Sequence, residues 1–147
     1  MKALTIINPW AWAIVNLDPP HAKDIENRDW YWPSMIGKRF AIHVGKSNYD
    51  DIAEEGLIRR GIMREKDREL AQQQRGFIIG VATLARVVTR SQSPWFEGRF
   101  GLVLADVFRL PHMVQARGAQ LFWNLSPEIE VAVRMQIKHA AHTSTNV

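Results

Sequence analysis

Apolar and polar positions change places in short runs along this chain, and most of the runs predict strands. Residues 3–7 (ALTII) are apolar and largely β-branched, the pattern of a short buried strand. Asn8 then supplies a helix-capping side chain, and Pro9 suits a first helical turn. Trp10, Ile14 and Val15 give that helix an apolar side. Asp18-Pro19-Pro20 ends it, because proline cannot continue the hydrogen-bond ladder. Residues 23–30 and 39–44 (RFAIHV) predict two further strands, with Pro33 and Gly37 in the loop between them. Residues 49–73 are helical and highly charged, with a break near Gly61. The longest β-type run is 77–89, and after the loop SQSPWFEGR a strand-like run over 100–110 stops at Pro111. Residues 119–124 add a short strand. Ser126-Pro127 opens a last helix with Ile129, Val133, Ile137 and Ala140 along one side.

The predicted order β-α-β-β-α-β-β-β-α lacks the regular alternation of a parallel doubly wound sheet. It predicts an α+β fold: a small, mostly antiparallel β-barrel with flanking helices. One domain over residues 1–140 fits the length, and the polar tail 141–147 is expected to fray.

Composition narrows the function classes. The 147 residues are 46% hydrophobic and 23% charged, which is a globular chain. Nineteen Lys and Arg against 15 Asp and Glu leave +4, a mild preference for anionic partners, nucleic acid included. Cysteine is absent, which excludes disulfides, thiolate metal sites and a thiol nucleophile. Histidines 21, 43, 112, 139 and 142 have no metal-ligand spacing, so neither a metal nor another cofactor is expected. No apolar stretch reaches the ~18 residues of a spanning helix. Asn8-Pro9 interrupts the N-terminal apolar run and no small-x-small cleavage site follows, so a cytoplasmic protein with no membrane partner is expected.

The stretch KDIENRDW, residues 23–30, is too charged for an ordinary strand. Alternation places Asp24, Glu26, Arg28 and Trp30 on one face, with Lys23, Ile25 and Asn27 on the other. Neighbours on one face are about 6–7 Å apart, so Glu26 and Arg28 can meet. Two readings fit. Either these groups are a solvated ladder protecting an edge strand, or they point into a cleft where Arg28 grips a phosphate or carbonyl and Glu26 handles protons or orients a donor. The predicted helix start at Asn8-Pro9-Trp10, with its free backbone N–H groups, suits an anion, and Lys23 folds back towards it.

His43 and Lys46 also have two readings each. His43 is either a satisfied core histidine or a proton carrier, and Lys46 either a phosphate contact or a solvated lysine. Six tryptophans are many for this length. Trp10, Trp12 and Trp123 serve the core, whereas Trp30 and Trp95 sit in loops, where a ring either seals the fold or stacks on a base.

Several segments together resemble the ASCH domain, a family of the PUA-like superfamily of small RNA-associated β-barrels. They are LTIINPWAWAIVN, KDIENRDW and RFAIHVGK, followed by GFIIGVATL, FGLVLADVFRLP and ARGAQLFWNLSPEIE, in the family's order over nearly all of residues 3–135. The family hallmark is Gly-x-Lys-x-x-Glu-x-Arg. Lys23, Glu26 and Arg28 match it at the required spacing, while His21 stands at the glycine position. Asn8-Pro9-Trp10-Ala11 stands where the family commonly has Gln-Pro-Trp-Ala, and Ile42-His43 with Lys46 matches its Ile-His-x-x-Lys segment.

The resemblance implies a cleft lined by the Lys-Glu-Arg trio near the first helix. It also implies RNA or a nucleotide-like ligand as partner; with the readings above, the residues expected to bind it are Asn8, Pro9, Trp10, Lys23, Arg28, Trp30, Lys46 and Trp95. A related branch hydrolyses the acetyl amide of N4-acetylcytidine with a Lys and a Thr, but Glu26 occupies the Thr position here, so that mechanism does not carry over. Some bacterial members are ribonucleases, which keeps a hydrolase with Lys23, Glu26 and His43 in chemical roles as the alternative. A small-molecule sensor or protein-interaction module is a third class.

Overall fold

In a computed structural model of the protein, which describes residues 1–145, the alternating runs become one six-stranded sheet. The strands are β1 (Lys2–Asn8), β2 (Ile25–Arg28), β3 (Arg39–Tyr49), β4 (Phe77–Val88), β5 (Phe100–Gln115) and β6 (Phe122–Asn124). The helices are α1 (Trp10–Asn16), α2 (Asp51–Arg59), α3 (Asp67–Gln73) and α4 (Pro127–Thr145), with a single 3-10 turn at Pro33–Met35. The strand order is β2-β5-β4-β3-β1-β6. β1 and β3 pair in parallel and every other pair is antiparallel, so the sheet is mixed.

The expected barrel does not close. Among the described residues no backbone ladder joins β2 to β1 or β6. β2 has only four residues, and its ladder goes to β5. The sheet nevertheless curls until β2 stands within side-chain reach of β1, where Arg28 Nη2 donates to Thr5 O at 2.9 Å.

Both faces of the central strands are covered, which explains the nearly unbroken apolar runs in the sequence. Phe40, Ile42 and Val44 of β3 pack with Leu4, Ile6, Ile14, Leu84 and Phe122 inside the curl. Ala3, Ala41, Ile78 and Val81 face the other way and pack with Val133 of α4. Emptying a fully buried position such as Phe40 costs about 3–5 kcal/mol.

Among the boundaries that differ from the sequence reading, those of β3, β5 and β2 shape the sheet around the site. β3 runs past Val44 to Tyr49: Ile6 pairs with Val44 but Asn8 with Tyr49, so Gly45–Asn48 bow out as a bulge. β5 runs through Pro111, because Gly80 pairs with Arg109 and Ile78 with Val114, and the proline falls in an irregular stretch that demands no ladder N–H from it. β2 is shorter than the predicted 23–30. The break near Gly61 is present, with φ at 73° separating α2 from the segment leading to α3. α4 continues through Thr145, over most of the tail expected to fray; residues 146–147 lie outside the described residues.

Candidate functional site

The shortness of β2 creates the site. Strand alternation would hold Lys23 on the face opposite Glu26, but the strand begins only at Ile25, so the chain before it is free to turn. The Lys23 N–H donates to Ala13 O of α1 at 3.1 Å, which anchors the approach. Its side chain then swings to the Glu26 side. Nζ donates to Ile25 O and stands 3.5 Å from Glu26 Oε1. Glu26 Oε2 accepts from Arg28 Nε at 3.0 Å and lies 3.0 Å from Nη2. Glu26 is thus held between two cations. Lys23 is 3% and Glu26 7% exposed, so this is no solvated edge ladder. Burial pushes the Lys23 amine below its ordinary pKa of 10.5, and the Glu26 carboxylate opposes that shift.

Aromatic rings wall the amine. Lys23 Nζ is 5.6 Å from the Trp10 ring centroid and 5.8 Å from that of Trp95. The two rings meet edge to face with centroids 6.4 Å apart. Trp10 Nε1 donates to Asp50 Oδ2 at 3.2 Å. Trp95 belongs to a loop pinned by β2 itself: Asn27 Nδ2 donates to Trp95 O at 2.8 Å, and Asn27 Oδ1 accepts from Glu97 N at 2.9 Å. Trp30 packs on Phe122 and lies under the Arg28 guanidinium at 5.9 Å.

The space enclosed has two compartments. A cleft of about 610 Å³ opens between β1 and β2, bordered by Thr5, Ile7, Trp10, Glu26, Arg28 and Trp30. A recess of about 380 Å³ adjoins it and reaches Lys23, Asp50 and Trp95; Trp10 and Glu26 line both. Volumes of this size hold small organic ligands. The cleft lining carries both signs, with Glu26, Asp29 and Glu97 against Arg28 and Arg99.

The other predicted residues go elsewhere. Asn8 is fully buried, accepts from Trp12 N at 2.8 Å, and donates to Ala71 O and Gln74 Oε1, each at 2.9 Å. With buried Pro9 it seats α1, and Trp10 is the residue of that trio that reaches the cleft. α1 has seven residues, and the Asp50 carboxylate sits against Trp10 in its first turn, so its start is no separate anion site. His43 lies on the α4 side of the sheet, 2% exposed. Its Nε2 is 2.7 Å from Ala116 O, which only an N–H can satisfy, so Nδ1 accepts from Thr5 Oγ1 at 3.1 Å. Thr5 Oγ1 in turn accepts from Trp123 Nε1 at 3.0 Å. Burial lowers the His43 pKa below its ordinary 6.5. Lys46 is exposed on the β3 bulge, beside a different groove.

The structure therefore brings Trp10, Lys23, Glu26, Arg28, Trp30 and Trp95 together and leaves Asn8, Pro9, His43 and Lys46 out of the cleft. Thr5, Asn27 and Asp50 join the site without having been singled out. Thr5 acts through its backbone oxygen, which no sequence pattern marks. Asn27 had a legible signal, a polar side chain in an edge strand. Among the described residues no three His, Asp or Glu gather as a metal-binding group, and no helix is long and apolar enough to cross a membrane. No protein-family model matches the chain, and no curated protein matches it either.

Proposed function

We propose that the chain is an ASCH-type, PUA-like domain that binds RNA or a nucleotide-like ligand in the cleft between β1 and β2. The observation that carries this reading is the convergence of Lys23 and Arg28 on Glu26, with the Lys23 amine against the Trp10 and Trp95 rings and the Arg28 guanidinium over Trp30. A nucleobase has an edge of hydrogen-bond donors and acceptors and two π faces. Glu26 is an acceptor for amine or imino N–H groups, the guanidinium and ammonium are donors for carbonyl or phosphate oxygens, and the indoles are stacking partners. Fluorescence titration with single-stranded RNA and with cytidine derivatives tests it. Salt-sensitive binding that Lys23→Ala and Glu26→Ala each weaken supports the reading. Binding indifferent to both substitutions refutes it.

A second reading, a hydrolase acting on RNA or on a nucleobase amide, has one observation in its favour. Lys23 is a desolvated amine with a lowered pKa, 3.5 Å from a carboxylate in a recess. Lowering an amine's pKa moves it towards the range that general-base work requires. Incubation with single-stranded RNA and with acetylated cytidine separates the two readings. Turnover lost in Lys23→Ala and Glu26→Ala favours the enzyme, and turnover that survives both removes these residues from catalysis.

A further inference from the structure

A second groove, about 910 Å³, runs beside the cleft, and Thr5 and Ile7 of β1 line both. The two spaces meet along the part of β1 that β6 leaves uncovered, since β6 pairs only with Lys2, Ala3 and Leu4. We propose that this groove carries the phosphate backbone of a single-stranded nucleic acid whose one base occupies the Lys23–Glu26–Arg28 cleft. The inference rests on the nucleotide reading above and narrows it: the ligand is a strand, not a free nucleoside.

Charge separates the two compartments. The cleft sets three carboxylates, Glu26, Asp29 and Glu97, against Arg28 and Arg99, a lining of both signs that suits a base edge better than a run of phosphates. Among the described residues the groove lining has no acid. It offers Lys46 and Arg117 as cations, and Ser47, Asn48, Gln115 and Gln120 as neutral hydrogen-bonding groups, all exposed. Cations with neutral donors are what phosphodiester oxygens take, and such contacts set the register of a strand without reading its sequence.

The groove is also built, not an accident of surface roughness. One rim is the β3 bulge, which turns Lys46, Ser47 and Asn48 outwards, and Arg75 Nε pins it by donating to Lys46 O at 3.0 Å. The other rim is the segment after β5, tied down where His43 donates to Ala116 O. Gly118 packs so closely on the imidazole that a Cβ there would lie 2.6 Å from His43 Cε1. His43 thus belongs to the floor that spaces the two rims.

The test compares a nucleoside, which has no phosphate, with single-stranded RNA oligomers of increasing length, by anisotropy and calorimetry, on the full chain. The proteins are wild type, the doubly substituted Lys46→Gln/Arg117→Gln, and Glu26→Ala. Both substituted cations are exposed, and thermal melting confirms that the double variant is folded. Affinity is expected to rise with length in wild type. In the double variant, oligomer binding should fall about tenfold or more, with the salt slope lower by roughly 0.7 per lost phosphate contact, while nucleoside binding is unchanged. No gain with length, no oligomer binding at all, or oligomer binding insensitive to the double substitution overturns the groove proposal. The cleft reading survives if nucleoside binding still depends on Glu26. Conversely, oligomer binding that needs Lys46 and Arg117 but ignores Glu26→Ala sinks the cleft and leaves the groove.

Discussion

Arg28 Nη2 lies 2.9 Å from the carbonyl oxygen of Thr5, and this one side-chain bond spans the gap at which the curled sheet fails to close. The same guanidinium holds Glu26 through Nε at 3.0 Å. Seam and site therefore share a residue, and stability and ligand binding should respond together when it is altered.

Arg28→Lys keeps the charge but loses the planar fork that reaches Glu26 and Thr5 at once. A loss of about 1.5–3 kcal/mol is expected in urea unfolding, the range for hydrogen bonds to charged groups. A change under about 0.5 kcal/mol would mean that the seam holds without it.

Glu26→Ala strands the buried Lys23 amine beside two indoles and removes the partner of Arg28. Breaking a buried pair from one side typically costs about 3–5 kcal/mol. Lys23→Met in the same background should recover part of it, because the unpaired charge is gone. A double-mutant cycle measures the coupling, expected at roughly 0.5–3 kcal/mol.

Acid should weaken the fold through His43. Its folded pKa lies below 6.5, so as pH falls through about 6.5 the unfolded chain takes up a proton that the native state refuses. Stability then drops until the folded pKa is passed. Lys23 has the same sign at the alkaline end: the native amine gives up its proton first, so stability rises as pH approaches 10.5. Thermal midpoints against pH check both, with His43→Gln flattening the acid limb and Lys23→Met the alkaline one.

Gly118→Ala places a methyl 2.6 Å from His43 Cε1 and 2.9 Å from Thr5 Oγ1, in a spot bounded by hydrogen-bonded groups that have little room to give. Overpacking of this kind costs about 1–3 kcal/mol. Chemical denaturation reads the cost. A neutral result would show that the 116–120 segment shifts freely.

Trp95→Ala should weaken nucleotide binding by about 1–3 kcal/mol, the worth of one stacked base, and abolish part of the tryptophan fluorescence change on titration. Unaltered affinity would assign Trp95 to packing over Lys23 alone.

The strands and helices were legible because both faces of β1, β3 and β4 bury apolar side chains and because glycine and proline punctuate the rest. Three prolines misled or informed according to context: Pro19-Pro20 follows α1, while Pro111 sits harmlessly in a β5 irregularity. Closure into a barrel was not legible, since it turns on how far the sheet curls and on the length of a four-residue edge strand. Within the site, the Lys-Glu-Arg spacing was readable, but simple alternation put Lys23 on the wrong face because the strand starts two residues later. His43 looked chemical from its type. Its hydrogen bonds to Ala116 and Thr5 come from segments remote in the chain, and only the fold reveals them.

The β2 ladder matches Ile25 to Val103 and Arg28 to Phe100, contacts of high sequence separation. The Lys-Glu-Arg segment thus leaves the ribosome long before the strand that shapes it. A nascent or proteolytically clipped N-terminal half would carry every letter of the motif but neither the β5 ladder that aligns β2 nor the Trp95 ring over Lys23. Because the recess needs these distant partners in register, its occupancy by a ligand would report a chain whose β2–β5 ladder is formed.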